Sequence, residues 1–262
     1  MFKQCLYMEL VKNVSKWGNS AGILLPKEWI GSQVKVVLID RTSDIKKEIF
    51  KILDPYLNDV IGVYLIGSYS RGEQERDSDV DVIAISKNTK KEIVSGKYHV
   101  SIITLESVEK TLEKNPILIF PRLVEAKPIL NKDLLKRLKS EKINKDMFGE
   151  YFSETKRIIK INKAILNLDK EQENEFADPE IIYSLVLRLR GMFLIDCLLS
   201  KEKYSKKKFM RFLGKGIGKN MVEEIYAVYK SVRDNKKTKK RIKLNSALGL
   251  LSYLEQKVKR FE

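Results

Sequence analysis

Two short apolar runs, Val60 to Ile66 (VIGVYLI) and Val82 to Ile85 (VIAI), frame a polar stretch that opens on Gly67-Ser68 and ends on Asp79-Val80-Asp81. Runs of this length and β-branched content, bounded by turn residues, have the pattern of buried strands. The glycine lets backbone N–H groups approach a ligand closely, and Ser68 is placed to cap a helix that follows. The start of a helix carries free N–H groups and the positive end of its dipole, which makes the turn a seat for phosphate. Asp79 and Asp81 stand at i and i+2 where the second strand opens. That spacing sends both carboxylates to one face, where they can hold a hard cation together. A phosphate seat beside paired carboxylates is what metal-dependent phosphoryl or nucleotidyl transfer requires. An ordinary turn followed by a solvated acidic loop accounts for Gly67 but not for two aspartates at strand alternation.

The string Gly67-Ser68, ten residues, then Asp79-Val80-Asp81 resembles the signature of the nucleotidyltransferase superfamily. That superfamily includes DNA polymerase beta, the aminoglycoside nucleotidyltransferases and the small minimal nucleotidyltransferases. Arg71-Gly72 matches its common continuation, an arginine and a glycine after alanine or serine. The resemblance implies an α/β nucleotidyltransferase core, Mg²⁺ or Mn²⁺ held by Asp79 and Asp81, and an NTP, ATP before the others, as substrate. Gly67, Ser68, Arg71 and Gly72 are then the nucleotide-binding residues, with Ser68 and nearby N–H groups on the β- and γ-phosphates and Arg71 as a charge partner. Family members usually carry a third carboxylate on the next strand, in a pattern like V-D-L-V-T. Here the matching string is Val100-Ser101-Ile102-Ile103-Thr104, so Ser101 is expected in the acid's place beside Asp79 and Asp81. His99, the one histidine of the chain, lies two residues earlier on the same strand face. It is either a base that works near neutral pH or a plain strand residue.

Residues 1–41 read differently. Alternation over Met8 to Val14, a Gly18-Asn19-Ser20 turn, and runs at Gly22 to Leu25 and Val34 to Ile39 predict three strands, with a single turn from Pro26 to Gly31 before the last. The string Lys16 to Glu28 (KWGNSAGILLPKE) resembles the AbrB-like swapped-hairpin domains that bind DNA. About forty residues are too few to bury a core alone. In that family two copies interleave, so the resemblance implies a homodimer, with Lys12, Lys16 and Lys27 on DNA phosphates and Asn13 and Asn19 on base edges or the backbone. Dimerisation with no DNA role is the alternative reading.

From Thr42 the period becomes helical, with Ile45, Ile49, Ile52, Leu53, Tyr56 and Leu57 on one stripe. A polar turn at Lys87 to Lys91, a strand at Tyr98 to Thr104, a helix from Glu106 and a last strand at Leu123 to Leu130 complete an α/β unit over 42–135. The remainder, 136–262, reads as a helical bundle, with one strongly apolar helix after Pro179. Nucleotidyltransferases often carry such bundles, sometimes of HEPN type. The ribonuclease form of that bundle needs a histidine near its arginine. Arg188 and Arg190 are present without one, so ribonuclease activity is not expected. Gly214 to Lys219 (GKGIGK) follows a helix rather than a strand and lacks the phosphate-loop spacing, so it reads as a helix break.

The net charge of +16 is concentrated at one end: residues 201–262 hold 19 Lys and Arg against 6 Asp and Glu. Such a field favours nucleic acid, nucleotide or an acidic protein, or else serves solubility or heat tolerance. Lys236 to Lys243 (KKTKKRIK) is a solvated basic loop that can track a nucleic-acid backbone. Two cysteines, Cys5 and Cys197, support neither a disulfide framework nor a structural zinc site, which points to a reducing compartment. No apolar run approaches a membrane span and no leader pattern opens the chain, so a cytoplasmic location is expected. Three functions fit: an active nucleotidyltransferase acting on a protein, a small molecule or an RNA end; an antitoxin-like regulator that binds its operator and controls a partner protein; or a transferase fold kept as a nucleic-acid or nucleotide binder.

Overall fold

The structure is a computed structural model and describes residues 10, 12, 14–36, 42–75 and 77–261. Contacts divide the chain into two units, Met1–Glu48 and Ile49–Glu262.

In the first unit, β1 (Ser15–Trp17) and β2 (Ser20–Gly22) form an antiparallel hairpin with Trp17 opposite Ser20. Gly18, at φ +58°, supplies the left-handed backbone that a two-residue hairpin loop needs. The turn therefore sets the pairing immediately on either side of itself. The expected strand at Gly22 to Leu25 is displaced toward the turn, and Ile23 to Leu25 are irregular. Met8, Glu9, Val11 and Asn13 of the expected first strand lie outside the described residues. A 3₁₀ turn at Lys27–Trp29 follows Pro26, and Gly31 leaves it at φ +83°. Val34 to Val36 lie in no strand, and the rest of that expected strand lies outside the described residues. Large apolar side chains stay in solvent: Trp17 is 63% exposed, Leu24 73%, Ile30 79% and Val36 67%.

The helix α1 (Thr42–Leu53) buries Ile49 and Leu53. The second unit is built on β3 (Val60–Leu65), α2 (Gly67–Arg71), β4 (Val80–Ser86), β5 (Lys91–Ser95), β6 (Tyr98–Thr104), α3 (Leu105–Lys114), α4 (Phe120–Glu125), β7 (Lys127–Leu130) and α5 (Lys132–Lys139). The strands form one mixed sheet in the order β5-β6-β4-β3-β7, with β4 and β6 parallel and the other pairs antiparallel. Tyr64, Ile66, Ile83 and Ile85 pack against Val108 and Leu112 of α3, Phe120 and Leu123 of α4, and Leu135 and Leu138 of α5. The alternate residues Val63, Leu65, Val82, Ala84, Val100 and Ile102 are buried as well, so the central strands are covered on both faces.

Two expectations change here. The turn expected at Lys87 to Lys91 stays irregular over residues 87–90, and an unexpected edge strand, β5, begins at Lys91 and is joined to β6 through Gly96 at φ +56°. Only Ile93 of its five residues is shielded, and lysine on an exposed edge hides the strand pattern while discouraging further pairing. The strand expected at Leu123 to Leu130 is half helix. Pro121 sits in the first turn of α4, where a missing N–H costs nothing, and only Lys127–Leu130 pairs with β3.

The rest is helical: α6 (Gly149–Glu171), α7 (Pro179–Leu199), α8 (Lys206–Ile217), α9 (Val222–Arg233) and α10 (Leu244–Lys259), with a two-residue pairing of β8 (Phe176–Ala177) and β9 (Ile242–Lys243). Ile182, Leu185, Leu189 and Met192 of α7 form a second cluster with Leu166, Phe209, Leu213, Ile225, Leu250 and Leu254. The boundary expected near residue 135 falls inside the second unit and inside α5, whose Leu135 and Leu138 both belong to the first cluster, while the second begins at Phe148. Gly214 and Gly216 remain helical, residue 216 lying so close to the ring of Tyr253 that only glycine fits, and α8 breaks at Gly218 with φ +81°. Among the described residues, no helix is long and apolar enough to cross a membrane.

Candidate active site

The end of β3 delivers the chain into a turn fastened to β4: Ile66 N–H donates to the Asp81 carbonyl at 2.9 Å. Gly67 then takes φ +70°, and a Cβ there would lie 2.3 Å from Asp81 Oδ2. Glycine is required twice over, for its backbone and because the Asp81 carboxylate occupies the space of a side chain. The helix α2 that follows is one short turn of five residues. Its cap is Ile66, which offers no side-chain acceptor, so Ser68 lies inside the helix and does not cap it. Ser70 Oγ instead donates back to the Gly67 carbonyl at 3.1 Å. Gly72 closes the turn at φ +71°, with its N–H and that of Glu73 both on the Ser68 carbonyl.

Asp79 is exposed just ahead of β4, and Asp81 is half-buried within it. The Asp81 carboxyl is held above its ordinary value, first by burial. His99 and Arg122 oppose that shift, while the charges of Asp79 and Glu125 add to it. The parallel register of β4 and β6 places His99 directly opposite Asp81, and Ser101 opposite Ile83. Ser101 Oγ donates to Glu92 Oε1 across the β5–β6 pair. The expectation of Ser101 beside the two aspartates is therefore corrected: the position facing Asp81 belongs to His99, one strand alternation earlier. Among the described residues, no group of three or more His, Cys, Asp or Glu is arranged to hold a metal ion.

Three residues that the sequence reading passed over complete the surroundings. Glu125, the last residue of α4, accepts from Gly67 N–H at 2.8 Å and from Arg71 Nη1 at 2.6 Å. Glu73 accepts from Arg71 Nε at 2.8 Å and from Lys206 N–H, at the start of α8, at 3.0 Å. Tyr204 lies between two guanidinium groups, Arg71 at 5.3 Å and Arg190 at 5.5 Å from its ring centre. Burial works against the charge of Arg71, yet Glu125 and Glu73 together hold its pKa above the ordinary arginine value. Pro121 was the signal that α4, not a strand, carries Glu125; nothing local marks Glu73 or Tyr204. Arg188 pairs with Glu154 at 2.9 Å and lies over Tyr151. In the first unit Lys12, Lys16, Asn19 and Lys27 are exposed, and Asn13 lies outside the described residues.

Residues 45–169 match the family description "Nucleotidyltransferase domain". A Methanocaldococcus jannaschii protein named "Putative protein adenylyltransferase" is 34% identical over 145 residues, which is 51% of this chain and 97% of that protein. The chain belongs to the nucleotidyltransferase family. Outside the nucleotidyltransferase region, residues 6–42 match the description "Putative transposon-encoded protein (DUF2080)", where the residues had suggested an AbrB-like domain. Among solved structures, a spectinomycin adenyltransferase from Enterococcus faecialis aligns with 84% of this chain and all of its own, at 14% identity and a TM-score of 0.46. A nucleotidyltransferase-like protein from Exiguobacterium sibiricum aligns with 84% of this chain and 75% of its own, at 12% identity and a TM-score of 0.37.

Proposed function

We propose that this nucleotidyltransferase moves a nucleoside monophosphate, AMP before the others, from an NTP to a hydroxyl group of a protein partner. The observation that carries this reading is the Asp81 carboxylate, within reach of the charge of Asp79, lying where a side chain at residue 67 would be. The protein acceptor is suggested by the name of the archaeal relative. A small molecule and an RNA end are the other hydroxyl acceptors, and labelled transfer separates the three.

The acceptor oxygen attacks the α-phosphorus in line. A new oxygen–phosphorus bond forms, the bond from the α-phosphorus to the bridging oxygen breaks, and pyrophosphate leaves. His99, opposite Asp81, takes the hydroxyl proton. The N–H groups of Gly67 and Ser68, with Arg71, hold the phosphates. Two oxygen donors, one half-buried among like charges, suit a hard cation that completes its shell with phosphate oxygens and water, so Asp79 and Asp81 would hold Mg²⁺ or Mn²⁺. When bound, the ion neutralises charge on the phosphates and on the departing pyrophosphate.

The first unit supplies assembly and targeting in this reading. A segment of this size with its large apolar side chains in solvent is completed by a second copy, giving a homodimer that presents Lys12, Lys16 and Lys27, with Asn13 and Asn19, to operator DNA. One observation favours a weaker alternative, a regulator with slow or no catalysis: Ser101 is turned to Glu92, and no third acid stands on β6.

The deciding experiment incubates the full chain with each labelled NTP and Mg²⁺ or Mn²⁺, with and without the product of the adjacent gene. Label on a protein, lost in Asp79→Asn and Asp81→Asn, is the expected result. ATP bound equally well with and without metal, and unaffected by either substitution, would leave only the binding-module reading. Residues 42–262 should run as a monomer by light scattering; a dimer would remove the assembly role of the first unit.

A further inference from the structure

The turn assigned to phosphate already holds an anion. Gly67 N–H and Arg71 Nη1 both donate to one carboxylate, that of Glu125, at 2.8 and 2.6 Å. We propose that Glu125 is an internal stand-in for a nucleotide phosphate, which the triphosphate must displace to bind. The inference rests on the nucleotidyltransferase reading of the same turn.

Nothing in its own helix explains where Glu125 sits. It is the last residue of α4, and a negative charge is unfavourable at the end of a helix that carries the negative side of the dipole. It also faces like charge, since it is among the groups that raise the Asp81 carboxyl. What holds it is the pair of donors, the same pair a phosphate oxygen would use. The arrangement is built so that the cradle outlasts its occupant. Arg71 keeps Glu73 on its Nε and Tyr204 against its face when Nη1 is released, and Glu73 is itself fixed by Lys206 N–H. Glu125 keeps 17% of its side chain in solvent, which gives the released carboxylate a place to go.

The consequence is selectivity. A weakly charged anion cannot outbid a tethered carboxylate, whereas a triphosphate brings more charge and several oxygens to the same donors. The resting site is therefore closed to free phosphate and nucleoside monophosphate and opens to NTP.

Calorimetry on the intact chain tests this, with sodium tripolyphosphate and with ATP and Mg²⁺ as the probes. Glu125→Gln and Glu125→Ala should bind both probes about tenfold more tightly than wild type, because the competing charge is gone. Glu125→Asp, which keeps the charge on a shorter arm, should fall between. Affinity unchanged within twofold, or weakened, overturns the proposal and makes Glu125 a brace for the Gly67 turn, while wild-type binding leaves the transferase reading intact. If neither wild type nor any variant binds either probe, the transferase reading fails and this proposal with it. Should the variants not fold, by circular dichroism, the wild-type chain decides by NMR. On adding tripolyphosphate, the Gly67 amide and the Glu125 carboxyl carbon should shift together; a Gly67 shift with Glu125 unmoved overturns the proposal.

Discussion

The two units of this chain solve the problem of apolar surface in opposite ways. In Ile49–Glu262, the residues that the sequence patterns place on inner faces are inside: Ile83, Ile85, Leu185 and Leu189 are fully buried, in clusters that close within the unit. In Met1–Glu48, Trp17, Leu24, Ile30 and Val36 are mostly in water although their sequence is no less apolar. Local pattern is the same kind of signal in both. What differs is whether the chain supplies the opposing surface. Among the described residues, a sheet with helices on it does, and a short hairpin with a 3₁₀ turn does not.

The largest expected effect locates all proposed chemistry in the second unit. Asp81→Asn should lower transfer by roughly 10³-fold or more, in the full chain and in 42–262 alike, while the melting midpoint is kept. A rescue of either activity by the first unit would break the comparison. Next comes packing: Leu185→Ala should cost about 2–5 kcal/mol in urea titrations, whereas Ile30→Ala should leave the unfolding of the second unit within about 0.5 kcal/mol and act on dimer dissociation instead. Two glycines in left-handed turns sharpen the contrast further. Gly67→Ala meets Asp81 Oδ2 and should cost about 1–3 kcal/mol together with nucleotide binding. Gly18→Ala meets nothing within 4 Å, so only backbone strain remains, about 1 kcal/mol, read in assembly.

The smallest effect is one of pH. Hydrogen bonding and charge from Lys206, aided by Lys230, hold the Glu75 carboxyl below its ordinary value of 4.5. A depressed acid stabilises the fold above that value, and its contribution is lost as pH falls through the lower value of the folded chain. Glu75 is exposed and both lysines are partly so, so solvent screens the pairs and the difference between wild type and Glu75→Gln should be a few tenths of a kcal/mol near neutral pH and vanish in acid.

Much of the second unit was legible in the residues because its signals are local. β3, β4 and β6 are short apolar runs, and Gly67, Asp79 and Asp81 mark a break and an alternation within fifteen positions of one another. The neighbour of Asp81 was not legible in that way. Matching strings placed Ser101 there, but register is set by the parallel ladder between β4 and β6, and a shift of two residues leaves the face unchanged while replacing serine with His99. The strand β5 escaped because an edge strand needs no apolar face, and α4 because Leu123 to Ala126 is a short, mostly apolar run that a strand would also carry. Glu125, Glu73 and Tyr204 reach the turn only through tertiary structure. No periodicity encodes a bond between residues that are 54 positions apart, as Arg71 and Glu125 are.

The hydrogen bond from Lys206 N–H to Glu73 spans 133 positions of chain. During synthesis the strands and the Gly67 turn emerge long before the helix start that steadies Glu73, and through it Arg71. For that interval the nascent chain carries the aspartates, the glycine turn and both carboxylate partners of Arg71, with Glu73 still lacking the N–H that fixes it. Closing so long a loop is slow relative to pairing adjacent strands. The order in which the ribosome delivers this sequence therefore leaves the Gly67 turn short of one of its braces until Lys206 has emerged.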